Sequence, residues 1–206
     1  MPKGIRLFGA LLLLSAVPAF AAPTSNGRLS LTFQPIVESI TGKAEQPFMN
    51  PGKNGTVFFF IQHDCPICRT YTPTMNQIAR KYQARGFKFY MVYVEQLLTL
   101  KQAQHHSKEY NFACPSLIDT RHELVKLAGA TISPEVAVFS PDGTRLYLGR
   151  IDNDWAGLGI QRQKATKHDL VNVLNDIIHD KPIRHAVTQS VGCVIPSLLP
   201  SSQRNS

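Results

Sequence analysis

Two long apolar runs organise the first half of the chain. Thr56-Val57-Phe58-Phe59-Phe60-Ile61 is β-branched and aromatic without polar alternation, the pattern of a strand covered on both faces. Lys88 to Glu95, with Phe89-Tyr90-Met91-Val92-Tyr93-Val94 at its centre, reads the same way. Between them a helix-compatible stretch runs from Cys65 to Ala84, and Gly86 closes it. Strand, helix and strand within roughly 40 residues predict a right-handed βαβ crossover with parallel strands.

Weaker patterns fill in the rest. Leu29, Leu31 and Phe33 alternate with polar residues as in a short strand, and Thr41-Gly42-Lys43 turns the chain back. Asn50 to Gly55 is a cluster of turn residues. Thr99 to Tyr110 predicts a polar helix, Ser116-Leu117-Ile118 a short strand, and Asp119 to Ala128 a short helix stopped by Gly129. Glu135 to Ser140 and Thr144 to Ile151 flank Pro141-Asp142-Gly143 and predict a β-hairpin. Asp152 to Ala165 reads as loop. Thr166-Lys167-His168-Asp169 resembles a capping box before a helix with Leu170, Val173, Leu174, Ile177 and Ile178 on one face, ended by Pro182. From Ile183 onward there is little periodicity, although the tail contains Val191-Gly192-Cys193-Val194-Ile195-Pro196.

The start of the chain changes the context. Lys3 and Arg6 precede an apolar stretch from Leu7 to Val17, and Ala19-Phe20-Ala21 offers a small-x-small cleavage site, so residues 1–21 read as a secretory signal peptide. Its apolar stretch is too short for a comfortable membrane span, and no other run approaches about 18 apolar residues, so no transmembrane segment is expected after cleavage. The 206 residues, 43% hydrophobic and 17% charged, suit one globular domain with appendages. Losing Lys3 and Arg6 lowers the formal charge of +8 by two. The remaining positive charges are scattered without interleaved aromatics, which argues against nucleic acid. Export to a periplasmic or secreted location places the four cysteines in an oxidising compartment.

Cys65-Pro66-Ile67-Cys68 carries the chemical signal. Two cysteines with a two-residue spacer at a helix start lie within disulfide reach, and unpaired N–H groups with the helix dipole favour a thiolate on the first. Pro66 suits the first helical position, which needs no N–H. Cys68, one turn in, suits a resolving role. A zinc site would need a second ligand pair at similar spacing, which Cys114 and Cys193 do not provide, so no metal and no cofactor are expected. A purely structural bridge across four residues would gain little from loop closure.

These residues resemble the thioredoxin superfamily over roughly Gly55 to Asp180. Pro73 sits where that family kinks its first active-site helix, and Ile132-Ser133-Pro134 matches its cis-proline segment. The elements before Gly55, and Tyr110 to Ala128, look like the exported redoxin (AhpC/TSA-like) branch, which includes reductases of cytochrome c maturation and peroxiredoxin relatives. Some exported redoxin-domain proteins also share the tail pattern Gly-Cys, apolar residues, Pro. The resemblance implies an α/β thioredoxin-like fold, with a mixed central β-sheet flanked by helices and a C-terminal extension. It implies Cys65 as nucleophile and Cys68 as resolving thiol, with Ser133, Pro134, Pro66 and Ile67 shaping a substrate groove. The family's buried carboxylate, six residues before the first cysteine, is replaced by Phe59. Glu135, Asp64 and His63 are then candidates for proton transfer by proximity alone, and a close Asp64 charge would oppose a Cys65 thiolate. Cys114 reads as a small buried residue or an accessory thiol. Cys193 is open to pairing with Cys114 or to relaying exchange from the Cys65–Cys68 pair, since four cysteines allow three pairings.

The expected organisation is a signal peptide (1–21), a leader with short β elements (22–54), a thioredoxin-like domain (55–180) and a tail containing Cys193 (181–206). The expected activity is extracytoplasmic thiol–disulfide exchange with protein or small thiol substrates and a redox partner. A peroxiredoxin-like thiol peroxidase is a second class, in which Cys65 and Cys193 would mimic a peroxidatic and resolving pair. Gln62 stands where that family has Thr, and no Pro precedes it at the right offset. A copper-binding thioredoxin-like chaperone is a third, drawing on His105, His106 or His122, but its cysteines are separated by three residues rather than two.

Overall fold

The computed structural model describes Met1 and residues 35–200. The expected signal peptide and the expected strand around Leu29 to Phe33 lie outside the described residues. In chain order the elements are β1 (Val37–Ser39), β2 (Ala44–Glu45), β3 (Gly55–Ile61), α1 (Pro66–Gln83), β4 (Phe87–Tyr93), α2 (Leu100–Glu109), β5 (Ser116–Ile118), α3 (Glu123–Ala128), β6 (Ile132–Ser133), β7 (Glu135–Phe139), β8 (Arg145–Gly149), β9 (Trp155–Gly157), β10 (Ile160–Gln161), α4 (Asp169–Ile178) and β11 (Cys193–Val194).

Seven strands form one mixed sheet in the order β2-β1-β5-β4-β3-β7-β8. β3 pairs parallel with β4, and β4 with β5, as the βαβ pattern predicts. β7 runs antiparallel to β3 and to β8. Every residue of β3 is buried, which explains its lack of alternation. Val57, Phe59 and Ile61 face Met75, Ile78 and Tyr82 of α1 and Leu170 and Leu174 of α4. Phe58 and Phe60 face the other way, toward Leu124 and Ala128 of α3, and Phe58 stacks on Tyr90 at 5.7 Å. Two opposite faces each buried by helices make β3 the axis of the molecule, and its end delivers Gln62 to Cys65 to the site.

The helix ends follow local chemistry. Thr99 and Gln102 form a reciprocal capping box at α2. α3 begins at Glu123 rather than Asp119, because the Asp119 carboxylate accepts the amide N–H groups of Glu123, Leu124 and Val125 at 2.7–2.9 Å. The capping box expected at residues 166–169 is absent: the Thr166 hydroxyl accepts from Asn153 Nδ2 at 2.9 Å, and His168 takes the N-cap position without a side-chain cap. The stretch 152–165, expected as loop, contains the small β9–β10 hairpin.

The tail is a structural element. Leu148 donates to the Ala186 carbonyl at 2.9 Å, and Thr188 donates to the Leu148 carbonyl at 3.1 Å. The Thr188 hydroxyl meets Tyr147 Oη at 2.6 Å and accepts the Arg150 amide at 3.1 Å. Ser190 donates to Glu135 at 2.9 Å, after which β11 pairs antiparallel with β6, Cys193 opposite Ser133 and Val194 opposite Ile132. Ile195 donates to Thr131 at 2.9 Å and buries its side chain. Gln96 then holds the Ser197 carbonyl at 2.9 Å and the Leu199 amide at 2.7 Å.

Gly149 makes the Thr188 contacts possible. Its φ is +156°, and a Cβ there would stand 2.8 Å from the Thr188 nitrogen and closer still to its hydroxyl. Gly149→Ala is expected to cost about 1–3 kcal/mol of stability and to speed amide exchange at Thr188 in hydrogen-exchange mass spectrometry. Unchanged protection at Thr188 would contradict this account of the tail anchor.

Candidate active site

The carboxyl end of β3 releases the chain into Gln62-His63-Asp64, and Cys65 becomes the N-cap residue of α1 with extended backbone (φ −75°, ψ 115°). Pro66 occupies the first helical position, and the first turn holds no acidic residue, so the positive end of the helix dipole is not offset there. Pro73 lies inside the helix. The Ser133–Pro134 peptide is cis, as the segment's resemblance implies. It sits directly against Cys65, whose Sγ lies 3.4 Å from the Ser133 carbonyl oxygen.

The disulfide at this site joins Cys65 to Cys193, with Cα atoms 6.3 Å apart across a sequence separation of 128. The pairing anticipated within the Cys65–Cys68 motif is not the one present: Cys68 and Cys114 are both free and buried. A disulfide sulfur carries no proton, so Cys65 Sγ touches the Ser133 carbonyl without donating to it; after reduction the thiol can donate. In the chain-entropy model a loop of this length stabilises the fold by about 5 kcal/mol, against about 2 kcal/mol for a link between Cys65 and Cys68. Cys114, the other partner considered for Cys193, is instead a core thiol beside the start of β5, pushed up to about 12 by burial.

Cys68 is held as a thiol. It is 2% exposed, and burial, aided by the negative charges of Glu95 and Asp64, pushes it up to about 12; hydrogen bonding from the Gln62 backbone and the Ser133 side chain works the other way and loses. The Ser133 hydroxyl donates to Gln62 Oε1 at 2.6 Å and also faces the Cys193 carbonyl at 3.4 Å. Ser133 therefore ties together the β3 exit, Cys68 and the tail strand.

The candidate proton-transfer residues fall in different places. Glu135 accepts from the Thr131 amide and the Ser190 hydroxyl, both at 2.9 Å, and so holds the tail. His63 turns to Glu95, with Nδ1 2.8 Å from Oε1. Asp64 is exposed beside the Cys65 N-cap. Pro66 is exposed and Ile67 buried, whereas Ser133 and Pro134 are both buried. Glu95 was missed from the sequence because it ends an apolar strand pattern. Gly192 carries a sequence signal only as part of the Gly192-Cys193 pattern. Of the histidines considered for copper, His122 Nε2 bonds the Val94 carbonyl at 2.7 Å, and His106 bonds Tyr93 at 2.9 Å and is lowered to about 4 by burial. His105 is exposed next to Glu109. Among the described residues, the one group of three possible metal ligands is His63, Asp64 and Glu95, which includes no cysteine.

With Cys68 pushed up to about 12, only about one thiol in ten thousand is ionised at pH 8. Native, unreduced protein treated with iodoacetamide at pH 8 is therefore expected to stay unlabelled at Cys68 and Cys114. The rate at Cys68 should rise about tenfold per pH unit up to the limit of the fold. Rapid labelling of Cys68 at pH 8 would contradict its assignment as a buried neutral thiol.

Residues 44–145 match the family model described as AhpC/TSA family. An uncharacterized conserved protein from Geobacillus kaustophilus superposes with a TM-score of 0.70 at 22% identity, over 82% of this chain and 92% of that one. A hypothetical protein from Sinorhizobium meliloti 1021 superposes at 0.67 with 19% identity, over 79% and 90%. A secreted Mycobacterium tuberculosis disulfide oxidoreductase, described as homologous to E. coli DsbE, superposes at 0.50 with 16% identity, over 69% and 95%. At these identities the likeness establishes the fold. No curated protein matches the chain. The mixed sheet, the cis-proline against an N-cap cysteine and the match over residues 44–145 give a redoxin domain of the thioredoxin superfamily, similar to the AhpC/TSA family.

Proposed function

We propose that the protein is an exported thiol–disulfide oxidoreductase with Cys65 as its nucleophile. The observation that carries this reading is the placement of Cys65: at the N-cap of α1, already in a disulfide, against the cis Ser133–Pro134 peptide. Cys65 and Cys68 are equally buried, at 2% exposure each, but the helix N-terminus favours a thiolate at Cys65 once the bond is reduced, and Cys68 lies a turn further into the helix. That asymmetry suits Cys65 for attack on a disulfide sulfur. The leader pattern of residues 1–21 and a disulfide in the folded chain both suit an oxidising compartment outside the cytoplasm.

A thiol peroxidase is the second reading, and the bond between Cys65 and the distant Cys193 favours it, since a peroxidatic and a resolving cysteine would be joined in this way. The residue three before Cys65 is Gln62, whose side-chain oxygen accepts from Ser133. It therefore does not offer the hydroxyl that the peroxiredoxin pattern places there.

Pre-reduced protein mixed with oxidised glutathione is expected to release two glutathione thiols for each disulfide formed. Cys65→Ser should slow this by about a hundredfold or more. Hydrogen peroxide should oxidise the wild-type protein no faster than it oxidises an ordinary thiolate. Peroxide consumption far outpacing disulfide exchange, and lost in Cys65→Ser, would replace this reading with the peroxidase one.

A further inference from the structure

We propose that the tail strand is a built-in occupant of the polypeptide groove, that Cys193 is the resolving thiol for Cys65, and that the site consequently acts on small-molecule disulfides rather than on extended protein segments. This rests on the oxidoreductase reading above and adds the substrate class and the second cysteine.

The argument begins with backbone geometry. β6 leads into the cis-proline, and its edge is taken by β11 in antiparallel register, with Cys193 directly opposite Ser133. An extended polypeptide presenting a cysteine to Cys65 along this edge would need the same backbone positions. The fit is close at Gly192: a Cβ there would stand 2.7 Å from the Ser133 carbonyl carbon, nearer still to its oxygen, and 2.9 Å from Ile132 Cγ2. A backbone neighbour cannot move aside as a flexible side-chain tip would, so the seat is cut for glycine before cysteine. The strand is also pinned on both sides, by Ser190 on Glu135 and by Ile195 on Thr131. An incoming chain would have to break these contacts before it could pair.

A small disulfide needs no backbone pairing along this edge, only an opening of the Cys65–Cys193 contact, since Cys65 is 2% exposed while the two are joined. A cavity of about 700 Å³ runs beside the tail strand and is lined by Ile132, Gly192 and Val194, with Arg162 and Lys167 contributing positive charge. Neither of these cations makes an ion pair among the described residues.

The chemistry balances with these two cysteines. The Cys65 thiolate attacks one sulfur of a disulfide RS–SR, forming Cys65–SR and releasing RS⁻. The Cys193 thiolate then attacks Cys65 Sγ, forming Cys65–Cys193 and releasing the second RS⁻. The small disulfide gains two electrons, the protein dithiol loses them, and the two cysteine protons leave to solvent or to RS⁻. An external dithiol closes the cycle. Cys68 is not needed in either step.

The test is a single turnover of pre-reduced full-length protein with oxidised glutathione, acid-quenched and read by intact-mass and peptide mass spectrometry. Wild type and Cys68→Ser are expected to form the Cys65–Cys193 link at rates within about threefold of each other. Cys193→Ser is expected to stall with one glutathionyl group on Cys65, a product that an unfolded variant would not give selectively. With insulin as the disulfide, Gly192→Ala should raise the insulin-to-glutathione rate ratio by about tenfold over wild type. Complete turnover by Cys193→Ser together with stalling of Cys68→Ser would assign resolution to Cys68 and overturn the proposal. An insulin-to-glutathione ratio unchanged by Gly192→Ala would overturn the groove-occupant part of it. If wild type reacts with neither substrate, the oxidoreductase reading itself fails.

Discussion

The antiparallel pairing of Cys193–Val194 with Ile132–Ser133 sets the chemistry of the whole site. It places Cys193 opposite the residue that precedes the cis-proline, and so over Cys65 at the start of α1. The rest of the molecule supports this two-residue contact. β3 fixes the exit that carries Gln62 to Cys65, and β7 and β8 carry Glu135 and Gly149, which hold Ser190 and admit Thr188. Ser133 sits at the crossing point, with its carbonyl on Cys65 Sγ and its hydroxyl on Gln62. Two glycines, Gly149 and Gly192, lie where the tail backbone approaches the domain too closely for any side chain.

This contact also divides the four cysteines by environment. Cys65 has the helix N-terminus, and Cys193 is half-buried on a strand held by its neighbours. Cys68 and Cys114 are enclosed among apolar groups, where the charged form is disfavoured. Cys65 is buried as deeply as Cys68, so what sets it apart is its place at the helix N-terminus and its bond to Cys193. The Cys-x-x-Cys spacing alone cannot convey this, because the same spacing serves a reactive pair or a reactive residue beside a buried one.

Much of the fold was legible in the sequence. The uninterrupted apolar run of β3, the helix opened by Pro66 and the Asp142-Gly143 hairpin each carry a local signal strong enough to survive tertiary context. The cis-proline segment was legible only through resemblance, since nothing local to Ile132-Ser133-Pro134 requires the cis form. The β9–β10 hairpin was not legible, because strands of two or three residues leave no period to read. At residues 166–169 a capping pattern was present, but Asn153 competed for the Thr166 hydroxyl and won. The link between Cys65 and Cys193 spans 128 positions, and no local preference specifies a contact at that distance. The available hint was Gly192 before Cys193, whose physical meaning depends on Ser133, a residue remote in sequence.

The account stands or falls on which disulfide forms at equilibrium. Wild-type protein poised across a series of reduced and oxidised glutathione buffers, acid-quenched and mapped by peptide mass spectrometry without reduction, reports each linkage directly. The Cys65–Cys193 peptide should rise and fall as one two-electron couple, with Cys68 remaining a free thiol throughout. Accumulation of Cys65–Cys68 as the main oxidised species, with Cys193 free, would contradict it.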